Sequence, residues 1–176
     1  MDKKKLIQLT KNDMNNIGLS SFNHLSISDE RGSLSILHES DQDFQINGFS
    51  IKESFSYKGS ARGLHMQDFK TSPQIKIIEV LEGAILDFVF DINNPNFVYF
   101  FELNDLDKKS VFIPSNFAHG FIALANVRFR YSCFGRYDEK SETTFNLLKS
   151  AADCLNITNV VLSAKDQAFP ELYCEL

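Results

Sequence analysis

The sequence of 176 residues contains no tryptophan, only three cysteines and no long apolar run. The cysteines, at positions 133, 154 and 174, form no Cys-x-x-Cys pair, so neither a disulfide framework nor a zinc knuckle is indicated. We therefore expect free thiols in a reducing cytoplasm. No segment approaches the roughly 20 apolar residues that a membrane helix requires. The stretch at 6–10 is too short and polar for the core of a signal peptide.

Positive charge is also scarce, because 18 lysines and arginines stand against 23 aspartates and glutamates. The resulting net charge of −5 argues against a general nucleic-acid binder, which needs a basic surface for the phosphate backbone. Any phosphate that the protein binds must be met by a few local cations. Apolar residues make up 43% of the chain, and its 17 phenylalanines supply most of the bulky core volume. We expect residues 1–176 to form a single domain.

Many short extended segments recur at intervals of about ten residues with turn residues between them, which predicts an all-β fold of the antiparallel sandwich or jelly-roll type. The segment 140–155 predicts a short helix near the C-terminus. The runs 74–82 and 84–91 are separated only by Gly83, which predicts an antiparallel pair on a tight turn. The first twenty residues show no clean period and are interpreted as a loose arm with a short strand.

Both faces of the strand at 84–91 are apolar. Leu86, Phe88 and Phe90 lie on one face, and Ile85 and Val89 lie on the other. We expect this strand to be covered on both sides, either by the second layer of a sandwich or by a dimer partner.

The most unusual stretch spans 61–67 and reads Ala-Arg-Gly-Leu-His-Met-Gln. In an extended conformation, the alternation of side chains puts Gly63, His65 and Gln67 on one face and Arg62 on the other. The histidine then projects from a wall of the fold, and the glycine leaves space beside it. This pattern is typical of a binding or catalytic site.

Other candidates stand on strands that point to the same interior. Lys76 shares a face with Ile78, Asp87 lies among branched apolar residues, and Tyr131 is on the inward face of its strand. Each has an ordinary structural explanation, such as a lysine that extends its ammonium to solvent. Together, a base, an acid and a cation in one cavity favour proton transfer beside a carbonyl group.

A metal site is disfavoured. Among the four histidines only His65 and His119 are expected to face the interior, and Gln67 occupies the second position of the His-x-His pattern that metal-binding cupins use.

Five motifs occur in a fixed order: Arg62-Gly63-Leu64-His65-x-Gln67, Phe112-Ile113-Pro114, Phe117-Ala118-His119-Gly120-Phe121, Tyr131 with Tyr137, and Leu162-Ser163-x-Lys165-Asp166. In this order they resemble the dTDP-4-dehydrorhamnose 3,5-epimerase family, from about residue 29 to residue 170. The resemblance implies a cupin-type jelly roll that forms a homodimer. It implies an isomerase that works without metal or organic cofactor on nucleoside-diphosphate 4-keto-6-deoxyhexoses in deoxysugar biosynthesis, for example for cell-surface polysaccharides.

The resemblance also implies residue roles. His65 matches the catalytic base, Asp166 the carboxylate paired with it, Tyr131 the acid on the opposite face of the sugar, and Lys76 the cation near the C4 oxygen. The other matching positions are substrate-binding residues: Arg62 and Arg31 at the diphosphate, and His119, Asp87, Gln67, Tyr137 and Ser54 in the pocket.

Departures from the family pattern leave three points open. Ser50 and Lys52 stand where the family has glutamine and asparagine, so the nucleoside is left open. The family's dTDP is the default, and CDP, GDP and UDP are the alternatives. The motifs are shared by enzymes that epimerise C3, C5 or both. The alternative activities are a 3,4-ketoisomerase, a metal-dependent cupin oxygenase and a non-catalytic cupin that binds sugar nucleotides; the ketoisomerase is expected to carry a second histidine where Gln67 stands.

Overall fold

A computed structural model of the chain describes residues 3–30, 32–36 and 48–176. The strands in these ranges are β1 Lys4–Gln8, β2 Ser20–Asn23, β3 Leu25–Asp29, β4 Gly32–Ile36, β5 Phe49–Ser56, β6 Ser60–Gln67, β7 Ile75–Glu82, β8 Ala84–Asp91, β9 Phe97–Asn104, β10 Lys109–Ile113, β11 Phe117–Ala123, β12 Val127–Phe134, β13 Glu142–Thr144, β14 Val161–Leu162 and β15 Cys174–Glu175. The helices are α1 Lys11–Asn16, α2 Leu148–Cys154 and α3 Ala164–Gln167, with a 3-10 turn at Glu139–Ser141.

Two large sheets form a sandwich. One sheet has the order β13-β6-β11-β8-β9-β1-β15, with β14 also paired to β6, and the other has the order β2-β10-β7-β12-β5. Strands β3 and β4 form a separate hairpin. The all-β fold with a short helical C-terminal part, which the sequence predicts, is confirmed. It is not purely antiparallel, because β1 runs parallel to β9 and β15, and β14 runs parallel to β6.

The main core fills the space between the two sheets. Ile78, Val111 and Phe129 project into it from one sheet, and Val89 and Phe101 project from the other, all of them buried. These side chains follow the two-residue alternation of their strands, so the sequence pattern determines which face each presents. Burying each contributes about 1.5–3 kcal/mol from the transfer of apolar surface out of water.

A second apolar cluster covers the outer face of the larger sheet. Phe88 and Phe90 of β8 pack there against the C-terminal part of the chain, including Leu148 of α2. The ring centroid of Phe145 lies 4.9 Å from that of Phe90. The expectation that β8 is covered on both faces is therefore correct, and the chain itself provides the cover, so this face gives no reason to expect a partner.

The predicted pairing of 74–82 with 84–91 is wrong. Strand β7 belongs to the smaller sheet and pairs with β10 and β12, whereas β8 belongs to the larger sheet and pairs with β9 and β11. Gly83 is therefore a corner where the chain passes from one sheet to the other. A single glycine between two strands does not distinguish a hairpin from such a corner, because both require a positive φ angle there.

Replacing Gly83 with alanine should destabilise the protein more than replacing Gly18. Both glycines have similar positive φ angles, 88° and 86°, so the backbone cost is matched. A Cβ atom at Gly83 would lie 2.1 Å from the carbonyl oxygen of Asn126, whereas one at Gly18 would have nothing within 4 Å. We expect Gly83→Ala to lower the free energy of unfolding by about 1–3 kcal/mol more than Gly18→Ala, as overpacking does. Equal urea midpoints for the two variants would contradict this placement.

In the described residues 3–20, the predicted short strand is confirmed, but the interpretation of the rest as a loose arm is wrong. Strand β1 extends the larger sheet beside β9, and α1 follows it at once. Leu6, Leu9, Met14 and Leu19 are buried, which anchors the segment to both apolar clusters. The short apolar run at 6–9 therefore forms the end of β1 and the residue after it, and its leucines pack in the two apolar clusters. None of the helices in the described ranges has the length and apolar composition needed to cross a bilayer.

Candidate active site

A cavity of about 520 Å³ opens between the two sheets. It is lined by Ser54 of β5, Arg62 and His65 of β6, Lys76 of β7, His119 and Phe121 of β11, Phe129 and Tyr131 of β12, and Ser163, Lys165 and Asp166 beyond β14. Six separate segments of the chain therefore contribute side chains to one space. Most of the residues that the sequence singled out lie in it.

Strand β6 carries two of these residues on the same wall because of a β-bulge. His65 lies opposite His119, but Arg62 lies opposite Phe121, so three steps along β6 match two steps along β11. The extra residue shifts the alternation, which brings Arg62 to the cavity that also contains His65. The prediction that Arg62 faces away from His65 is therefore wrong.

The glycine within this bulge serves the packing of the two strands. A Cβ atom on Gly63 would lie 2.7 Å from the carbonyl oxygen of His119, and one on Gly120 would lie 2.3 Å from the carbonyl oxygen of Arg62. The space that the sequence attributes to Gly63 is thus filled by the backbone of β11. This close approach fixes the positions of Arg62, His65 and His119 relative to each other.

His65 forms a short contact with a buried carboxylate. Its Nε2 atom lies 2.7 Å from Oδ1 of Asp166, although the two residues are 101 positions apart in the sequence. Asp166 is only 3% exposed, and its other carboxylate oxygen accepts a hydrogen bond of 2.9 Å from the hydroxyl of Ser163. Ser163 also caps α3 by accepting a bond from the backbone N–H of Asp166. The local turn thus orients the carboxylate toward the imidazole.

Lys76 reaches the cavity from the opposite sheet. Its ammonium donates a 3.0 Å hydrogen bond to the carbonyl oxygen of His65. Burial lowers the pKa of Lys76, and the nearby Cys133, Glu142 and Asp87 act in the opposite direction. A cation held in a space with little water interacts more strongly with developing negative charge than it would at the surface.

Tyr131 stands on the same wall as Lys76. Burial raises the pKa of its phenol, with Arg62 acting in the opposite direction, so the hydroxyl keeps its proton at neutral pH. The ring packs against Phe129, with centroids 5.8 Å apart. The alternation of side chains in β12 predicts that Tyr131 points inward, and the structure confirms this prediction.

A second histidine and carboxylate lie deeper in the fold. Nε2 of His119 lies 2.8 Å from Oδ2 of Asp87, and both side chains are buried. Burial raises the pKa of Asp87, and the adjacent His119 opposes that shift. The ring of His119 stacks on Phe129 with centroids 6.1 Å apart, so the pair supports the floor of the cavity.

The remaining predicted site residues have different surroundings. The hydroxyl of Ser54 is buried with no hydrogen-bond partner in the described part of the chain, and the residue lines the main cavity. Gln67 and Tyr137 line a smaller cavity beside the main one. The side-chain oxygen of Gln67 accepts bonds from the backbone N–H of Asp138 and the hydroxyl of Ser141, which ties it to a surface turn. Arg31 lies outside the described residues.

Sequence reasoning assigned no role to several residues that line the two cavities: Lys52, Phe121, Phe129, Glu142, Ser163 and Lys165. Ser163 and Lys165 belong to a motif that was recognised, so their spacing from Asp166 could have identified them. Glu142 forms an ion pair with Lys165. Its contribution depends on the pairing of β13 with β6, which no local pattern reveals.

The charges in the site are mostly positive. Arg62, Lys76 and Lys165 line the main cavity, and Asp166 is the carboxylate among its lining residues. Within the described ranges, no cluster of three or more histidine, cysteine, aspartate or glutamate side chains could hold a metal ion. The arrangement can hold an anionic or carbonyl-bearing ligand between an imidazole on one wall and a phenol on the other.

Comparison with known proteins gives consistent results. Residues 17–173 match the sequence model of the family described as dTDP-4-dehydrorhamnose 3,5-epimerase. The protein of that name from Escherichia coli (strain K12) is 33% identical over 132 residues, which are 70% of each chain. Alignments with the curated relatives cover from 47% to 70% of the relatives' own length.

Solved structures share the same fold. That of dTDP-4-dehydrorhamnose 3,5-epimerase from Sulfolobus tokodaii is 29% identical with a TM-score of 0.72, covering 88% of this chain and 90% of that one. That of dTDP-6-deoxy-D-glucose-3,5-epimerase from Legionella pneumophila Philadelphia 1, in complex with dTDP-4-keto-L-rhamnose, is 28% identical with a TM-score of 0.67, covering 88% and 87%. The cupin-type jelly roll is therefore confirmed. The chain belongs to the dTDP-4-dehydrorhamnose 3,5-epimerase family, a family of isomerases.

Proposed function

We propose that the protein epimerises C3, C5 or both in a nucleoside-diphosphate 4-keto-6-deoxyhexose, with dTDP as the nucleotide, in deoxysugar biosynthesis for cell-surface polysaccharides. One observation carries this proposal: His65 and Tyr131 stand on opposite sheets and line the same cavity. A hexose ring between them would have a base on one face and a proton donor on the other. Removing a proton from one face and returning it to the other inverts the carbon.

The chemistry begins at the imidazole. The C4 ketone acidifies the hydrogens on C3 and C5, because the electrons left behind form an enolate. When Asp166 accepts a hydrogen bond from the N–H at Nε2, the Nδ1 atom of His65 has a lone pair available. This lone pair can take the hydrogen from C3 or C5. The carboxylate also stabilises the imidazolium that forms.

The opposite wall would complete the reaction. The Lys76 ammonium is suited to stabilise the enolate oxygen, since it is buried near His65 and Tyr131. Tyr131 would then donate its phenolic proton to the carbon from the other side. Ser54 would contact the sugar as a lining residue of the main cavity, while His119 and Asp87 would support the pocket floor. Gln67 and Tyr137 would contact the substrate from the smaller cavity.

Arg62 is suited to bind the diphosphate. Its side chain is exposed at the mouth of the cavity, where Nε donates a 2.8 Å hydrogen bond to the hydroxyl of Ser56. Terminal nitrogens of its planar group can bond phosphate oxygens in pairs. Arg31 would add a second arginine, supplied by the partner subunit of a homodimer.

An exposed apolar surface supports the homodimer. Phe49, Ile51 and Phe55 project outward from β5, which is the last strand of its sheet in the described part of the chain. Leu25 and Leu34 of the β3–β4 hairpin are exposed as well. Exposed apolar side chains on an edge strand are typical of an interface. Light scattering at micromolar concentration should give the mass of a dimer; a monomer would contradict this part of the proposal.

The function is tested by incubating the protein with dTDP-, CDP-, GDP- and UDP-linked 4-keto-6-deoxyhexoses in deuterated water. We expect deuterium at C3, C5 or both, with products inverted at the labelled carbon and the dTDP sugar reacting fastest. A 3-keto product would identify a ketoisomerase. Binding without exchange would identify a non-catalytic protein. The proposal also includes a single domain over 1–176 and a cytoplasmic location. The proposed reaction requires no metal or organic cofactor, so treatment with a chelator should leave its rate unchanged.

A further inference from the structure

A smaller cavity of about 110 Å³ adjoins the main one. It shares His65, Lys76 and Tyr131 with the main cavity, so a group bound in it would touch all three proposed reaction residues. Its other lining residues are Lys52, Met66, Gln67, Gln74, Cys133, Tyr137 and Glu142. The volume corresponds to three or four water molecules at about 30 Å³ each, which suits a small ring substituent.

The cavity carries an excess of positive charge. Lys52 and Lys76 both line it, and the carboxylate of Glu142 is already paired with the ammonium of Lys165. Glu142 also raises the pKa of Lys76 against the effect of burial, so one carboxylate that is already paired with Lys165 faces two ammonium groups in this cavity.

Lys52 is held in this cavity by strand geometry. It lies directly opposite Tyr131 in the pairing of β5 with β12, and its neighbours Ile51 and Glu53 face outward. Its Nζ atom lies 5.8 Å from the ring centroid of Tyr131 and 5.2 Å from that of Tyr137. Cation–π contact with both aromatic rings holds the ammonium in place.

The two ammonium groups are close enough to interact. Burial lowers the pKa of Lys76, and the positive charge of Lys52 lowers it further. Burial raises the pKa of the Cys133 thiol, and both lysines oppose that shift. Lys52 therefore shifts the pKa of groups on both β7 and β12. It is the cation that β5 contributes to this cavity.

We propose that this smaller cavity is a subsite for a substituent of the hexose ring, and that Lys52 makes it select hydrogen-bond acceptors and reject protonated amino groups. The inference rests on the proposed function, because the hexose must lie between His65 and Tyr131 for a substituent to reach Lys52. A hydroxyl or carbonyl oxygen accepts a hydrogen bond from the ammonium. A protonated amine is repelled by two like charges in a partly buried space. The substrate class is thus a neutral or anionic ketohexose, and amino sugars are excluded.

The test measures binding of ketone-free analogues by calorimetry. The probes are dTDP-6-deoxyglucose and its 2-amino and 3-amino derivatives, at about pH 6.5 where the amines are protonated. For the unmodified protein we expect at least one amino derivative to bind about tenfold or more weakly than the parent compound. In Lys52→Met this difference should shrink to about threefold or less, and in Lys52→Glu the amino derivative should bind more tightly than the parent.

Lys70→Met is the matched control. Lys70 is another lysine whose ammonium lies over an aromatic ring, 5.5 Å from the centroid of Phe69, but it is exposed and outside both cavities. Its replacement should leave all three affinities unchanged. Lys52→Met keeps the apolar part of the side chain, and circular dichroism checks that its fold is intact.

Equal binding of the three compounds by the unmodified protein would overturn the inference, as would full discrimination retained in Lys52→Met. Loss of all binding in a folded Lys52→Met protein would also overturn it, because Lys52 would then be a general anchor. Failure of the unmodified protein to bind even dTDP-6-deoxyglucose, or to epimerise any 4-keto sugar, would instead overturn the proposed function and the inference with it.

Discussion

His65→Ala should abolish deuterium incorporation at both C3 and C5 of the 4-keto sugar while the protein remains folded. The imidazole is the base that the cavity presents to one face of the ring, with Asp166 2.7 Å behind it. Its side chain is about 30% exposed, so its removal should cost little stability. We expect the exchange rate to fall by about 10²–10⁴-fold, the usual contribution of general acid–base catalysis. The measurement is proton NMR of the sugar in deuterated water.

Asp166→Asn should be nearly as severe, although it preserves the shape of the side chain. An amide can present its N–H to the imidazole, which favours the wrong tautomer, and it does not stabilise the imidazolium. We expect exchange to slow by about 10²–10⁴-fold without a large change in substrate affinity.

His24→Ala is the control for both variants. His24 is a partly exposed histidine whose ring bonds the hydroxyl of Ser110, and it lines neither cavity. We expect it to exchange at the native rate. Exchange near the native rate in His65→Ala or in Asp166→Asn would mean that another group is the base.

Tyr131→Phe should separate the two halves of the reaction. The substitution keeps the ring that packs on Phe129 and removes only the hydroxyl. Enolate formation by His65 should survive, whereas delivery of a proton to the opposite face should fail. In deuterated water the variant should therefore exchange hydrogen faster than it accumulates epimer, with the label returned to the original face. We expect inversion to slow by about 10²–10⁴-fold.

The matched control for this experiment is Tyr173→Phe, because Tyr173 belongs to the C-terminal segment and lines neither cavity. Tyr137→Phe is the comparison variant, since the Tyr137 ring lies near the same Lys52 ammonium as the Tyr131 ring. Epimerisation at the native rate in Tyr131→Phe, or joint loss of exchange and inversion with substrate still bound, would make Tyr137 or a water molecule the better candidate for the acid.

The local alternation of strands predicted much of the interior correctly. The inward positions of Lys76, Ile78, Tyr131 and Phe129 follow from period-two patterns, because neighbouring side chains on an extended chain must point to opposite faces. The same reasoning failed for Arg62. The bulge that turns it into the cavity depends on how β6 pairs with β11, and pairing between distant strands leaves no local pattern.

By itself, the sequence determined which segments are extended and which residues of regular strands point inward. It also contains the ordered motifs that resemble a family of epimerases. Only the tertiary structure decided that β7 and β8 belong to different sheets, that Arg62 and His65 line one wall, and that Lys52 stands opposite Tyr131. The physical reason is the range of the interactions. Side-chain alternation is set by covalent geometry within a few residues. Strand pairing and sheet packing are set by contacts between segments far apart in the chain, such as His65 and Asp166, which are 101 positions apart.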